Sequence, residues 1–263
     1  DEAASEDDAQ ETNDDAEPEI DPACDIDADG YLSITCGGED CDDENDLIHP
    51  GQVEICDFED NDCTDAINDG IECFVSAHGY RELFQVDPFL GTIEVVGTVP
   101  GLTDFDIGSD GTLYGIRPGT FHVLDDAQGS WSYVGAINAS GGLPNGFAID
   151  SNSTGYVTVG NSLYTIDIST GETNWVGAMG GSFKSSGDCV VDREGVLYMT
   201  SWGNGSDDLI ELNLETGEGT LIGTTGLSKV FGLSTAWGFM FGFTGDGDVA
   251  IVAPQTGQAQ VLH

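Results

Sequence analysis

The sequence predicts an all-β protein: a five-bladed β-propeller preceded by a small, disulfide-rich, loop-rich module suited to holding metal ions. Three observations carry this. A repeat of about 42 residues runs through the second part of the chain, six of the seven cysteines fall within 50 residues near its front, and acidic residues crowd between those cysteines.

From about residue 71 onward the chain consists of short apolar runs cut by Gly, Asn, Asp and Ser, the chemistry of strands and turns. A glycine turn stands before a final strand at Gly91, Gly129, Gly171, Gly217 and Gly257. Six residues after each comes the strand end: Val96-Gly97, Val134-Gly135, Val176-Gly177, Ile222-Gly223 and Leu262-His263. The offset is constant, while the period runs 38, 42, 46 and 40 residues. Between these lies an inner strand, an Asp/Gly turn and an aromatic strand, as in FDIGSDGTLYGI and FAIDSNSTGYVTVG. A unit of this length with four short strands is a propeller blade. A β-sandwich also has short strands, but a constant internal offset over five copies favours the ring.

Counting strands places four complete blades at about 103–135, 146–177, 186–223 and 230–263. Residues 82–97 supply the outer two strands of a first blade, with Ile71 to Ser76 as the strand before them. Gly70 lies 41 residues ahead of Gly111, which puts Asp65-Ala66-Ile67 in the phase of that blade's innermost strand. His263 takes the last strand position of the fifth repeat, so no further strand remains to latch the ring. Closure is left to blade packing, to the front module or to another chain.

The chain carries 49 Asp and Glu against 5 Lys and Arg, a formal charge of −44. Of these acids 28 lie in residues 1–72, and no base precedes Arg81. Such a field repels nucleic acid and anionic lipid, so neither nucleic-acid binding nor membrane insertion is expected; multivalent cations are the natural partners. Residues 1–20 hold one Ile and no aromatic, and cannot bury enough surface to fold alone. The expected division is an acidic segment 1–20, a Cys/Asp module 21–70 and the propeller 71–263.

Cys24, Cys36, Cys41, Cys56, Cys63 and Cys73 form an even cluster without a CxxC pair, which reads as disulfides made in an oxidising compartment rather than a zinc site. Their connectivity stays open among fifteen possibilities. The sequence shows neither a start Met nor a signal peptide, and reads as the mature form of a secreted, extracellular or cell-surface chain. Within the module, Asp25, Asp27 and Asp29 alternate ahead of Gly30, with the Tyr31 carbonyl next. Alternate carboxylates, a sharp glycine turn and a backbone oxygen wrap one hard cation. A full EF-hand would need a Glu where Cys36 stands. Asp40, Asp42, Asp43, Asn45 and Asp46 form a second candidate cluster, and Asp57, Asp60, Asp62, Asp65 and Asp69 a third. Oxygen-only donors favour several Ca2+ ions.

The stretch DCDDENDLIHPGQVEICDFEDNDCTDAINDG resembles the MopE-type metal-binding repeat of secreted bacterial proteins. The matching residues are Asp40, Cys41, Asp42, Asp43, Pro50, Gly51, Glu54, Cys56, Asp57, Asp60, Asn61, Asp62, Cys63 and Gly70. Thr64, Asp65 and Asn68 depart from it, which bears on the last ligand. The resemblance implies secretion and metal binding. Its copper chemistry carries over poorly, because apart from His49 and oxidised cysteines no soft ligands are present. The second part resembles secreted bacterial repeat propellers, with no substrate implied.

No nucleophile–base pair can be assembled, and no enzyme is expected. The acidic pairs Asp125/Asp126 and Asp207/Asp208 read as loop acids, Trp131, Tyr133, Trp175, Trp202 and Trp237 as blade packing, and Cys189 as a small buried hydrophobe. The functional expectation is a calcium-binding structural protein that assembles into an extracellular filament, coat or matrix. A surface adhesin or glycan-binding propeller is the alternative, and a polysaccharide-active enzyme ranks third. Residues 1–20, lacking a core of their own, are expected to pack on the propeller of the next copy in a homopolymer, with Ca2+ at the joint.

Overall fold

The computed structural model describes residues 21–64, 66–125 and 129–263. Two compact units divide between Glu72 and Cys73.

In the front unit the described residues form loops, one 3-10 turn at Ile34–Cys36 and an isolated bridge between Ser33 and Asp40. Disulfides Cys24–Cys36 and Cys41–Cys63 tie it, and Cys56 and Cys73 are disulfide-bonded too. Ile48 is its buried aliphatic side chain. With so small a core, crosslinks and polar bonding have to do what apolar burial does elsewhere.

The second unit is a five-bladed propeller of antiparallel sheets. Blade 1 holds β1 (Val75–His78), β2 (Glu82–Asp87) and β3 (Thr92–Thr98); blade 2 holds β4 (Asp104–Ile107), β5 (Leu113–Arg117), β6 (Thr120–Asp125) and β7 (Ser130–Ala136). Blade 3 comprises β8 (Pro144–Ile149), β9 (Thr154–Val159), β10 (Ser162–Asp167) and β11 (Thr173–Ala178). Blade 4 comprises β12 (Ser185–Val191), β13 (Leu197–Trp202), β14 (Asp207–Leu212) and β15 (Gly219–Thr224). Blade 5 ends the chain with β16 (Val230–Ala236), β17 (Phe239–Thr244), β18 (Val249–Val252) and β19 (Ala259–Val261). Strands pair in chain order within each sheet, and the first strands β4, β8, β12 and β16 neighbour one another around the axis.

Apolar side chains fill the gaps between blades. Phe121 and Ile116 of blade 2 meet Phe147 and Val157 of blade 3, and Leu163 of blade 3 meets Met199 and Ile210 of blade 4. Leu209 of blade 4 meets Val230 and Met240 of blade 5. Leu83, Val99 and Leu102 join blade 1 to Phe105 and Trp131 of blade 2. The ring closes within one chain: Phe89 stacks its edge against Phe239, Phe241 and Trp237 of blade 5, and His263 Nε2 lies 3.3 Å from the Phe89 carbonyl oxygen.

The repeat signature has a packing cause. A Cβ on Gly177, at the end of blade 3, would overlap the Thr216 carbonyl, and one on Gly217 would overlap Gly177 in turn. The blade-end glycine of one repeat therefore sits on the turn glycine of the next, and the same contact recurs at Gly135/Gly171 and Gly223/Gly257. At the ring joint His263 replaces the blade-end glycine and faces Gly91.

Three expectations are corrected. Ala66 and Ile67 lie in turns rather than on an innermost strand, and Asp65 falls outside the described residues. The strand expected at 71–76 is Val75–His78. The cause is local: Asn68, at φ +56°, is bonded to Glu54 and Asp57 and cannot extend. Third, Asp207 is not a loop acid; it opens β14, is buried, and accepts the Val230 amide at 2.7 Å. Trp131, Trp202 and Trp237 make contacts between blades, the last two while partly exposed, whereas Tyr133 and Trp175 are exposed. Cys189 is buried and free.

Candidate metal centre

The loop after Cys24 turns on itself through its own carboxylates. Asp27 Oδ1 accepts the Asp29 amide at 3.2 Å, and Asp29 Oδ1 accepts the Tyr31 amide at 2.7 Å. Gly30, at φ +95°, makes the turn that the sequence marks. The Cys24–Cys36 disulfide and the Ser33–Asp40 bridge bring a fourth acid alongside. Asp40 is buried, and its Oδ1 accepts the Asp42 amide at 3.0 Å.

Each of Asp27, Asp29 and Asp40 thus gives one oxygen to the backbone. The other oxygen, Oδ2 in all three, together with Asp25 Oδ1, is buried without a hydrogen-bond partner. Asp25, Asp27 and Asp29 each offer an oxygen within 4.8 Å of the others. Burial holds the Asp40 carboxyl above its ordinary range, and the carboxylates of Asp29, Asp27 and Asp43 add to this against the Asp42 amide. The unsatisfied, mutually repelling oxygens of Asp25, Asp27 and Asp29 fit one divalent cation, which would satisfy all three at once, with the unpartnered Asp40 Oδ2 nearby. The donors are oxygen only. Tyr31 closes the loop with its ring stacked on His49 at 4.6 Å.

A second group joins Glu54, Asp62 and Asp69, again with oxygens within 4.8 Å. Glu54 is buried and already accepts the Asp62 amide at 2.9 Å and the Asn68 amide at 2.6 Å. Asp69 Oδ1 accepts the Thr64 hydroxyl at 2.9 Å. The sequence singles out Glu54 as a matching position of the repeat, two residues before Cys56, but not as a ligand. Asn68 has become a clasp: it donates to the Asp57 carbonyl and accepts the Asp57 amide, a pairing that a carboxylate could not make.

Other candidate ligands serve local turns. Asp42 Oδ1 accepts the Glu44 amide, Asn45 Oδ1 that of Leu47, Asp57 Oδ1 that of Glu59, and Asp60 Oδ1 that of Thr64. Asp43 Oδ1 accepts the Ile26 amide and so braces the first loop, while Asp46 is exposed. Asp65, and residues 1–20 with the assembly role expected of them, lie outside the described residues.

The propeller axis holds acids that the sequence reading passed over. Asp104 Oδ2 accepts the Phe147 amide at 2.6 Å, Asp106 Oδ2 the Ile149 amide at 2.6 Å, and Asp188 Oδ2 the Leu233 amide at 2.7 Å. Each carboxylate also accepts the amide that follows it in its own strand. They staple first strands across blade boundaries. Burial pushes Asp106 up to about 7. Burial raises both Asp104 and Asp188 above the carboxylate range, and the neighbouring Asp188 carboxylate raises Asp104 further. Acids on inner strands, against strand propensity, were the available signal.

Fold and site together define a disulfide-tied, metal-binding module followed by a five-bladed propeller. Residues 40–69 match the family model Cu-binding_MopE, described as "Putative metal-binding motif". No curated protein matches the chain. Among solved structures, the nidogen/laminin complex is similar at 15% identity, covering 72% of this chain and 77% of that one, with TM-score 0.53. A symmetrical protein of de novo evolutionary emergence is similar at 20% identity over 72% of this chain and 90% of that one, TM-score 0.51. Virginiamycin B lyase from Staphylococcus aureus is 12% identical over 72% of this chain, which spans 65% of the lyase's length, TM-score 0.46. At these identities the likeness is one of fold.

Proposed function

We propose that the protein is a secreted, calcium-binding structural protein, a subunit of an extracellular filament, coat or matrix, whose Cys/Asp module folds around the ion and whose propeller makes the contacts. The observation that carries the reading is the set of unpartnered buried oxygens of Asp25, Asp27, Asp29 and Asp40. Hard oxygen donors suit Ca2+ better than copper, and disulfides suit an oxidising compartment. A non-enzymatic role is supported by the axial acids. Both oxygens of Asp104, Asp106 and Asp188 accept backbone amides, a structural use of these carboxylates.

Titration calorimetry of the EDTA-stripped chain with CaCl2 and CuCl2 tests the ion. Calcium is expected to bind and to raise the unfolding temperature of the module, because binding to the folded state adds to its stability. Identical melts in EDTA and in calcium would remove the calcium reading. Light scattering tests assembly: polymer in calcium that dissociates in EDTA supports it, and a monomer in both removes it.

One observation favours recognition as a second reading. A cavity of about 640 Å3 in the propeller is lined by Tyr198 and Trp237 with Asp192, Arg193 and Glu194. Aromatic faces beside polar groups suit a glycan.

A further inference from the structure

Among the described residues, blades 2 to 5 each turn a first strand toward the axis, and blade 1 shows none. β2 and β3 carry the outer-strand signature of the repeat, the Gly91 turn and the Val96-Gly97 end. β1, paired to β2, therefore takes the second-strand place, and no described residue fills the first. On that side the axial cavity is bordered directly by Ser76, Ala77 and His78 of β1. β1 is bonded along one edge, to β2, and among the described residues no hydrogen bond reaches its other edge. An unpaired strand edge is a template for another strand.

The size agrees. The cavity measures about 600 Å3. A strand residue in a packed sheet occupies about 4.8 Å between strands, 3.4 Å along the strand and 10 Å between layers, about 160 Å3 in all. Four residues, the length of β1, fill the space.

The walls select the occupant. Asp104, Asp106 and Asp188 line the cavity, and no Lys or Arg does so among the described residues. Phe105 and Phe231 offer apolar contact for alternate residues of an entering strand. A strand from this chain's own front segment, with 28 acids and no base in residues 1–72, would bring like charge against those carboxylates. A cationic side chain would instead find the buried Asp104 and Asp188 and the half-buried Asp106. The raised affinity of these acids for protons agrees with a site short of positive charge.

We propose that the open first-strand seat of blade 1 is a docking site for an extended peptide segment of a partner protein, about four residues long and bearing lysine or arginine. Backbone pairing with β1 supplies the register, and the axial acids supply the preference for basic side chains.

The test uses the full chain in calcium with three synthetic probes. These are acetyl-Lys-Val-Lys-Val-Lys-amide, its Glu counterpart, and the lysine peptide N-methylated at alternate amides. All the variation is in the peptide, so folding of the protein is not at stake. Calorimetry and amide hydrogen exchange of Ser76 to His78 are the readouts. The lysine peptide is expected to bind and to slow exchange along β1, with the Glu and N-methylated peptides weaker by at least about tenfold. Absence of protection on β1 at millimolar lysine peptide overturns the proposal, as does equal binding of the Glu peptide. Slow exchange, without any peptide, of the β1 amides that point away from β2 also overturns it, because a segment of the chain itself would then occupy the seat.

Discussion

Asp27, Asp29 and Asp40 divide their two oxygens in the same way, one to a backbone amide two residues on and one left buried and unpaired. The amide bond orients the carboxylate, so the free oxygen is aimed before any ion arrives. Asp27→Asn keeps the acceptor for the Asp29 amide but removes a charge. Calcium affinity is expected to fall at least about tenfold by calorimetry; an unchanged affinity would take Asp27 out of the site. Asp106 yields a second prediction. Its folded-state value of about 7 lies above the usual 3.8, so its contribution to stability is complete below about pH 4 and is lost as pH rises through 7. Tryptophan fluorescence follows the propeller alone, because all four tryptophans lie beyond residue 72. The melting temperature read this way is expected to drop between about pH 4 and 7, with a shallower drop in Asp106→Asn. An equal slope in both proteins would show that Asp106 titrates elsewhere.

Blades meet through two kinds of contact, apolar side chains inside and glycine on glycine at the rim. Gly177→Ala places a methyl group against the Thr216 carbonyl, a backbone atom that cannot rotate away. The expected cost is toward the upper end of about 1–3 kcal/mol, read from denaturant unfolding by tryptophan fluorescence; a neutral result would mean that the blades separate freely at the rim. Phe89 packs blade 1 against the aromatic rings of blade 5. Phe89→Ala is expected to cost about 3–5 kcal/mol and to loosen blades 1 and 5 first in hydrogen exchange. Uniform loosening of all blades would deny it that role. The repeat was legible because this glycine contact recurs at a constant offset. The shortened first blade was not, since Ala66, Ile67 and Gly70 keep the phase of the repeat while Asn68 holds them in the module.

At the scale of the whole molecule, calcium is expected to act on one unit and not the other. EDTA should remove a module transition in calorimetry while the tryptophan transition of the propeller stays in place; loss of both together would mean that the two units unfold as one. Sequence alone determined the disulfide-forming cysteines, the blade count, and the acidic segments from which a metal site is drawn. These follow from local chemistry, in glycine spacing, carboxylate crowding and strand-and-turn texture. Tertiary structure decided which acids converge. Asp40 comes near Asp27 and Asp29 because a disulfide and one bridge fold the chain back, and Glu54 meets Asp69 only across a long loop. It also placed Asp104, Asp106 and Asp188 at one axis from two blades, and among the described residues none fills the first-strand seat of blade 1. Such proximity between residues distant in sequence depends on how blades close and loops cross, and no local pattern of residues encodes it.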